Sequence, residues 1–334
     1  MTTKRYYKDQ QAWRELQQFL PERLRLTDET APEEDFWDWN GHTIHLDRYR
    51  NPRAKAKAVL HHGVGTNGRQ MTLILGAPLA KLGYEVVALD DLGYGMTAVA
   101  PGTNPGYDDW VRMVVDFLAF EKRRDDRPIV LYGLSAGGML TYHVAAAAPK
   151  GTLAGIVGMT FLDERVRQVR DETAHDLFTA RVGAPLMGIL AKTPLAAMHY
   201  PMSLASKMSA LANDPGAMKA FMRDKTSAAN TMSIRFLDSY LNYAPAVEPA
   251  QFDACPVLLT QPAQDRWSPR HLSTPVLSKI TRVPVDEVAL ENAGHYPLED
   301  PGLQQLVDAI ADFVDRVTTR ADAPATPRPD RMTR

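Results

Sequence analysis

Gly133-Leu-Ser-Ala-Gly137 sets a serine between glycines directly after the apolar run Ile129 to Leu131. Met139 to Ala148, which follow, are Ala-, Leu- and Met-rich and read as a helix. A serine on so sharp a strand-to-helix turn has its hydroxyl exposed. Small neighbours are needed there, because larger side chains would strike the strand or the helix. Such a hydroxyl becomes a nucleophile only when a base takes its proton, and the base needs a third group to fix its tautomer. Among nine histidines, His295 in Asn292-Ala-Gly-His-Tyr-Pro-Leu-Glu299 is the expected base, because this loop joins the last strand to the last helix. Asp265, a few residues after the apolar run Val257 to Thr260, is the expected acid, with Asp163 as runner-up. The tetrahedral oxyanion formed on attack needs backbone donors. Ala136, which follows the nucleophile, supplies one N–H, and Val64 in His61-His-Gly-Val-Gly-Thr-Asn-Gly68 is the candidate for the second.

The elements around these residues alternate. Asp35 to Tyr49 reads as two strands joined at Asn40-Gly41, a strong hairpin signal. Strands are then expected at 58–61, 85–89, 129–131, 153–160, 257–260 and 287–290. Helices are expected at 71–82, 107–122, 139–148, near 271–281 and at 302–317. Such alternation builds a mostly parallel sheet with helices on both faces, whose ligand sites lie at the carboxyl ends of the strands. Residues 6–26 carry Trp13, Leu16, Phe19 and Leu20 on one helical stripe. The expected division is therefore an N-terminal helical extension (1–30), a core (31–162 and 251–318), a helical segment inserted between core strands (163–250) and a disordered Pro-rich tail (319–334). The insertion is too apolar to stay solvated and should roof the Ser135 turn.

With 334 residues and a net charge of −2, nothing in the charge balance points to nucleic acid. The single cysteine, Cys255, excludes an internal disulfide. The Gly63 loop lacks the Lys-Ser/Thr of a phosphate loop and the third glycine of a dinucleotide fingerprint, so neither cofactor nor metal is expected. No apolar stretch follows the basic N-terminus and no run could span a membrane. A cytoplasmic protein without membrane insertion is expected, its oligomeric state left open.

Taken together, His62-Gly63 after a strand, Asp90-Asp-Leu-Gly-Tyr-Gly95 after the next, the Ser135 turn, Asp265 and Gly294-His295 with Pro297 resemble the α/β-hydrolase superfamily. The likeness extends over roughly residues 36–318 and is greatest to its capped monoacylglycerol lipase-like, lysophospholipase-like and serine-aminopeptidase-like members. The resemblance implies an α/β-hydrolase fold with a helical cap and the chain order Ser, Asp, His of that superfamily. It also implies a scaffold role for Asp90, Gly93 and Gly95. Ser135 departs from relatives with an aspartate nucleophile, and His-Gly-Val-Gly departs from the loop of proline iminopeptidases. The function so implied is a serine hydrolase cleaving small hydrophobic carboxylic esters through an acyl-enzyme. Alternatives are a non-catalytic ligand-binding protein of the same fold, or a haloperoxidase, thioesterase or C–C hydrolase with the same triad. Seven of the 14 methionines fall between Met187 and Met232, and of these Met187, Met218 and Met222 are the expected lining of an adaptable substrate pocket.

Overall fold

The computed structural model describes residues 4–321. The strands are β1 (Glu33–Trp39), β2 (His42–Tyr49), β3 (Lys57–His61), β4 (Glu85–Leu89), β5 (Ile129–Gly133), β6 (Gly155–Gly158), β7 (His199–Pro201), β8 (Thr231–Ser233), β9 (Val257–Pro262) and β10 (Val285–Leu290). All but β7 and β8 join one sheet in the order β1-β2-β4-β3-β5-β6-β9-β10. β1, β2 and β4 run antiparallel in turn, and the remaining neighbours are parallel. Every residue of β3, β4 and β5 is buried, as expected for central strands covered on both faces. At the β1–β2 turn Asn40 and Gly41 both have positive φ (48° and 82°), the conformation a two-residue type I′ hairpin requires.

The strand order reverses between β3 and β5, which opens a crevice at their carboxyl ends. Their register pairs His61 with Gly133. The loop after β3 and the Ser135 turn therefore emerge side by side.

Between β6 and β9 the chain leaves the sheet and forms the short helices Arg167–Thr173, Ala184–Leu190, Pro215–Phe221 and Ile234–Leu241. This stretch, expected to be wholly helical, also holds the antiparallel pair β7–β8. Each strand has three residues, too few for a period to show in the sequence. The N-terminal stretch is likewise not one helix. It breaks into the short turns Tyr7–Asp9, Ala12–Leu16, Gln17–Phe19 and Glu22–Leu24, because Gln10 is extended and Pro21 interrupts. Its stripe is buried nonetheless at Trp13, Leu16 and Leu20, and Phe19 is the exposed member. The last helix, Gly302–Ala321, continues through residues expected to begin the tail, and the rest of that tail lies outside the described residues. No helix among the described residues is long and apolar enough to cross a membrane.

Candidate active site

Ser135 has φ 57° and ψ −124°, outside the regions open to ordinary side chains. Holding a non-glycine residue there costs about 1–3 kcal/mol, which the surroundings must offset. They do so by close approach. A Cβ on Gly63 would lie 2.7 Å from Ser135 Cβ, and one on Gly137 would lie 2.5 Å from the His62 carbonyl oxygen. Only glycine lets the β3 loop and the turn touch. The Ser135 carbonyl accepts from Gly138 N (2.8 Å) and from Thr160 Oγ1 (3.1 Å), which fixes the turn from below.

Two loops position the other expected members. Ala263 N donates to Leu290 O and Gln264 N to Ala293 O, both at 2.9 Å, so the chain after β9 is bonded to the chain after β10. This brings His295 Nδ1 within 2.9 Å of Asp265 Oδ2, with both side chains fully buried. An Nδ1 proton shared with this carboxylate leaves Nε2 as a bare lone pair, and Nε2 has no hydrogen-bond partner among the described residues. Asp265 also accepts from the backbone N–H groups of Trp267 and Ser268 and from the Ser268 hydroxyl, each at 2.8 Å. Burial pushes the Asp265 carboxyl up, but the His295 imidazole and the Ser268 donors outweigh it and hold the pKa at about 2. Ser268 Oγ lies 3.0 Å from His295 Nδ1 as well, and the Trp267 ring packs on the imidazole at 4.7 Å. Neither residue was anticipated. An acceptor followed three residues later by a serine was the available sign of such a turn.

Asp163 is engaged elsewhere. Its carboxylate binds Arg165 at 2.8 and 2.9 Å, and Arg165 also pairs with Glu248. Neither Val64 N–H nor Ala136 N–H donates to another described residue, while the Val64 carbonyl is held by the Tyr94 hydroxyl at 2.7 Å.

Val64 and Ser135 border a largely apolar cavity of about 190 Å³. Its other walls come mainly from the segment between β6 and β9, with Trp267 closing one side. Met187 lines it, as does Met202. Met218 and Met222 do not. They sit at the helix Pro215–Phe221, which packs against Ala12–Leu16 of the N-terminal stretch, and Met222 is exposed. The seven methionines are alike in sequence, and only the packing of separate helices sorts them. Glu164, also unanticipated, is the one carboxylate among the described residues of the cavity wall.

One further cluster has ligand-like chemistry. Ligand atoms of Glu34, His45 and Asp47 lie within 4.8 Å of one another. Arg69 already occupies Asp47 (2.6 Å), and His45 lies 2.9 Å from Glu34 and 3.1 Å from Asp90. Burial lowers the His45 pKa, yet Asp90 and Glu34 prevail and raise it to about 9. The basic groups His45 and Arg69 thus already pair with these acids, and the cluster reads as a buried ion-pair network.

Residues 58–309 match the family model described as the Alpha/beta hydrolase family. The chain belongs to that family. Solved structures share the fold at low identity. The monoacylglycerol lipase of Paleococcus ferrophilus superposes with a TM-score of 0.62 at 17% identity, covering 83% of this chain and 98% of that one. A soluble variant of monoglyceride lipase from Saccharomyces cerevisiae, bound to a substrate analog, gives 0.69 at 15% identity and covers 89% and 98%. Est1E of Butyrivibrio proteoclasticus with bound ferulic acid gives 0.56 at 14%, covering 85% and 99%. No curated protein matches the chain significantly by sequence.

Proposed function

We propose that the protein is a serine hydrolase of carboxylic esters with a hydrophobic acyl or alcohol group. The observation that carries the reading is His295, hydrogen-bonded to Asp265 through Nδ1 with Nε2 unpartnered, in a site whose strained Ser135 borders an apolar cavity. Ser135 Oγ attacks the ester carbonyl carbon as its proton passes to His295 Nε2. The new oxyanion takes hydrogen bonds from the N–H groups of Val64 and Ala136. Collapse breaks the C–O bond, and the leaving alkoxide takes the proton back from His295. Water then repeats the sequence on the acyl-enzyme and frees Ser135. Asp265 keeps the imidazole in its tautomer and stabilises the imidazolium. A Ser135–His295 hydrogen bond forms as substrate fills the cavity, since such bonds are often long or unmade in sites without ligand.

Monoacylglycerols and lysophospholipids belong in the first substrate panel. A fluorophosphonate probe tests the mechanism. Wild type should label at Ser135, and Ser135→Ala should not. A correctly folded wild type that neither labels nor hydrolyses any ester would instead be a ligand-binding member of the fold.

A further inference from the structure

Glu164 lines the same cavity as Ser135 and is only 6% exposed. Its donors are few. A carboxylate offers about four lone-pair positions. The Thr173 hydroxyl lies 3.1 and 3.3 Å from its two oxygens, but the same hydroxyl lies 2.9 Å from the Val169 carbonyl, and it has one proton to give. Tyr240 supplies a second hydroxyl. Arg170, the nearby cation, donates elsewhere, with Nε to the Glu164 backbone carbonyl (3.0 Å) and a terminal nitrogen to the Leu241 carbonyl (2.6 Å). Acceptor capacity is therefore left over in a wall that is otherwise mostly apolar, in the cavity that Ser135 also borders.

We propose that Glu164 recognises a hydroxyl group on the substrate, so that this hydrolase prefers hydroxylated esters to plain alkyl esters. The inference rests on the hydrolase reading above. Burial, only partly opposed by Thr173 and Arg170, raises the Glu164 carboxyl to about 7. Near neutrality much of it is a neutral acid, which gives one hydrogen bond and accepts another, as a hydroxyl does. An ammonium would need the ionised form and would sit in the field of Arg170. A purely alkyl group would leave the carboxyl in the dry cavity with its capacity unmet.

The test is a panel of paired esters, in which a hydroxyl is walked along the acyl chain of p-nitrophenyl alkanoates and along the alcohol of alkyl esters. Each is compared with its deoxy partner. In wild type at least one hydroxylated member should exceed its partner about tenfold in kcat/KM. Glu164→Leu should bring that ratio to unity or below, while Glu164→Gln, which still donates and accepts, should keep most of it. Glu164→Ala removes the carboxyl without adding bulk and serves if Leu prevents folding, as judged by fluorophosphonate labelling. A merely structural Glu164 would slow both partners equally and leave the ratio unchanged. That result, or a wild type with no preference for any hydroxylated member, overturns the assignment while the hydrolase reading stands. Absence of labelling and of all hydrolysis in wild type overturns both.

Discussion

The floor of the candidate site and its roof are built on opposite terms. In the floor, Ser135, Asp265 and His295 are 5%, 8% and 0% exposed, and the backbones around the Ser135 turn leave no room for a single added carbon. The roof shows apolar side chains to the outside, with Phe178 72% and Ile189 65% exposed. A reacting group misplaced by an ångström loses most of its effect, whereas an alkyl chain is accommodated by any apolar wall of suitable volume. The contrast teaches that the chemistry is fixed by contact and the choice of substrate by surroundings that can vary.

Changes at the three expected reacting residues of the floor should be severe. Ser135→Ala should lower kcat by roughly 10³-fold or more, measured on any ester that wild type turns over. Ser135→Gly should be equally inactive yet more stable by about 1–2 kcal/mol, because glycine relieves the strained backbone. A melting temperature below that of wild type would contradict this. Asp265→Asn should cost on the order of 10³- to 10⁴-fold, and Ser268→Ala about tenfold, since one of several donors is lost.

The same carboxylate makes a stability prediction. Its pKa of about 2 lies below the unfolded value of about 3.9, so its contribution is complete above pH 4 and fades as pH falls towards 2. Asp265→Asn should flatten denaturant midpoints in that window. His45 predicts the reverse sign. Raised to about 9 from an unfolded value near 6.5, it stabilises fully below pH 6.5 and loses that contribution as pH rises through 9. His45→Gln should remove the alkaline part of the stability profile.

The mildest effects belong to the roof. Met187→Ala should shift the preferred acyl length of p-nitrophenyl esters, with kcat/KM changing about fourfold per methylene gained or lost. Met222→Ala should leave the series unchanged. If the two variants behaved alike, Met187 would contribute no more to substrate choice than a surface residue.

The floor was legible in the sequence because its constraints are local. Gly-x-Ser-x-Gly, the acid after β9 and the histidine after β10 each announce themselves by short-range pattern. The roof was not, because its short helices bury side chains against partners far along the chain. The helix bearing Met218 rests on residues 12–16, and nothing near it says so. Trp267 and Ser268 lie between these cases. Their turn was readable, but the ring over His295 depends on two loops meeting.

β6 and β9 are adjacent in the sheet, with Ile156 opposite Val257. The whole roof therefore departs and returns through neighbouring doors. Exchanging such a segment for that of a relative should leave undisturbed the strands that hold the candidate catalytic groups. Among the ties to the floor that a graft would need to keep are those of Trp267 Nε1 to the Thr173 carbonyl (3.1 Å) and Tyr296 N to the Leu211 carbonyl (2.7 Å). Chimaeras that keep both should inherit their reactivity from one parent and their appetite from the other.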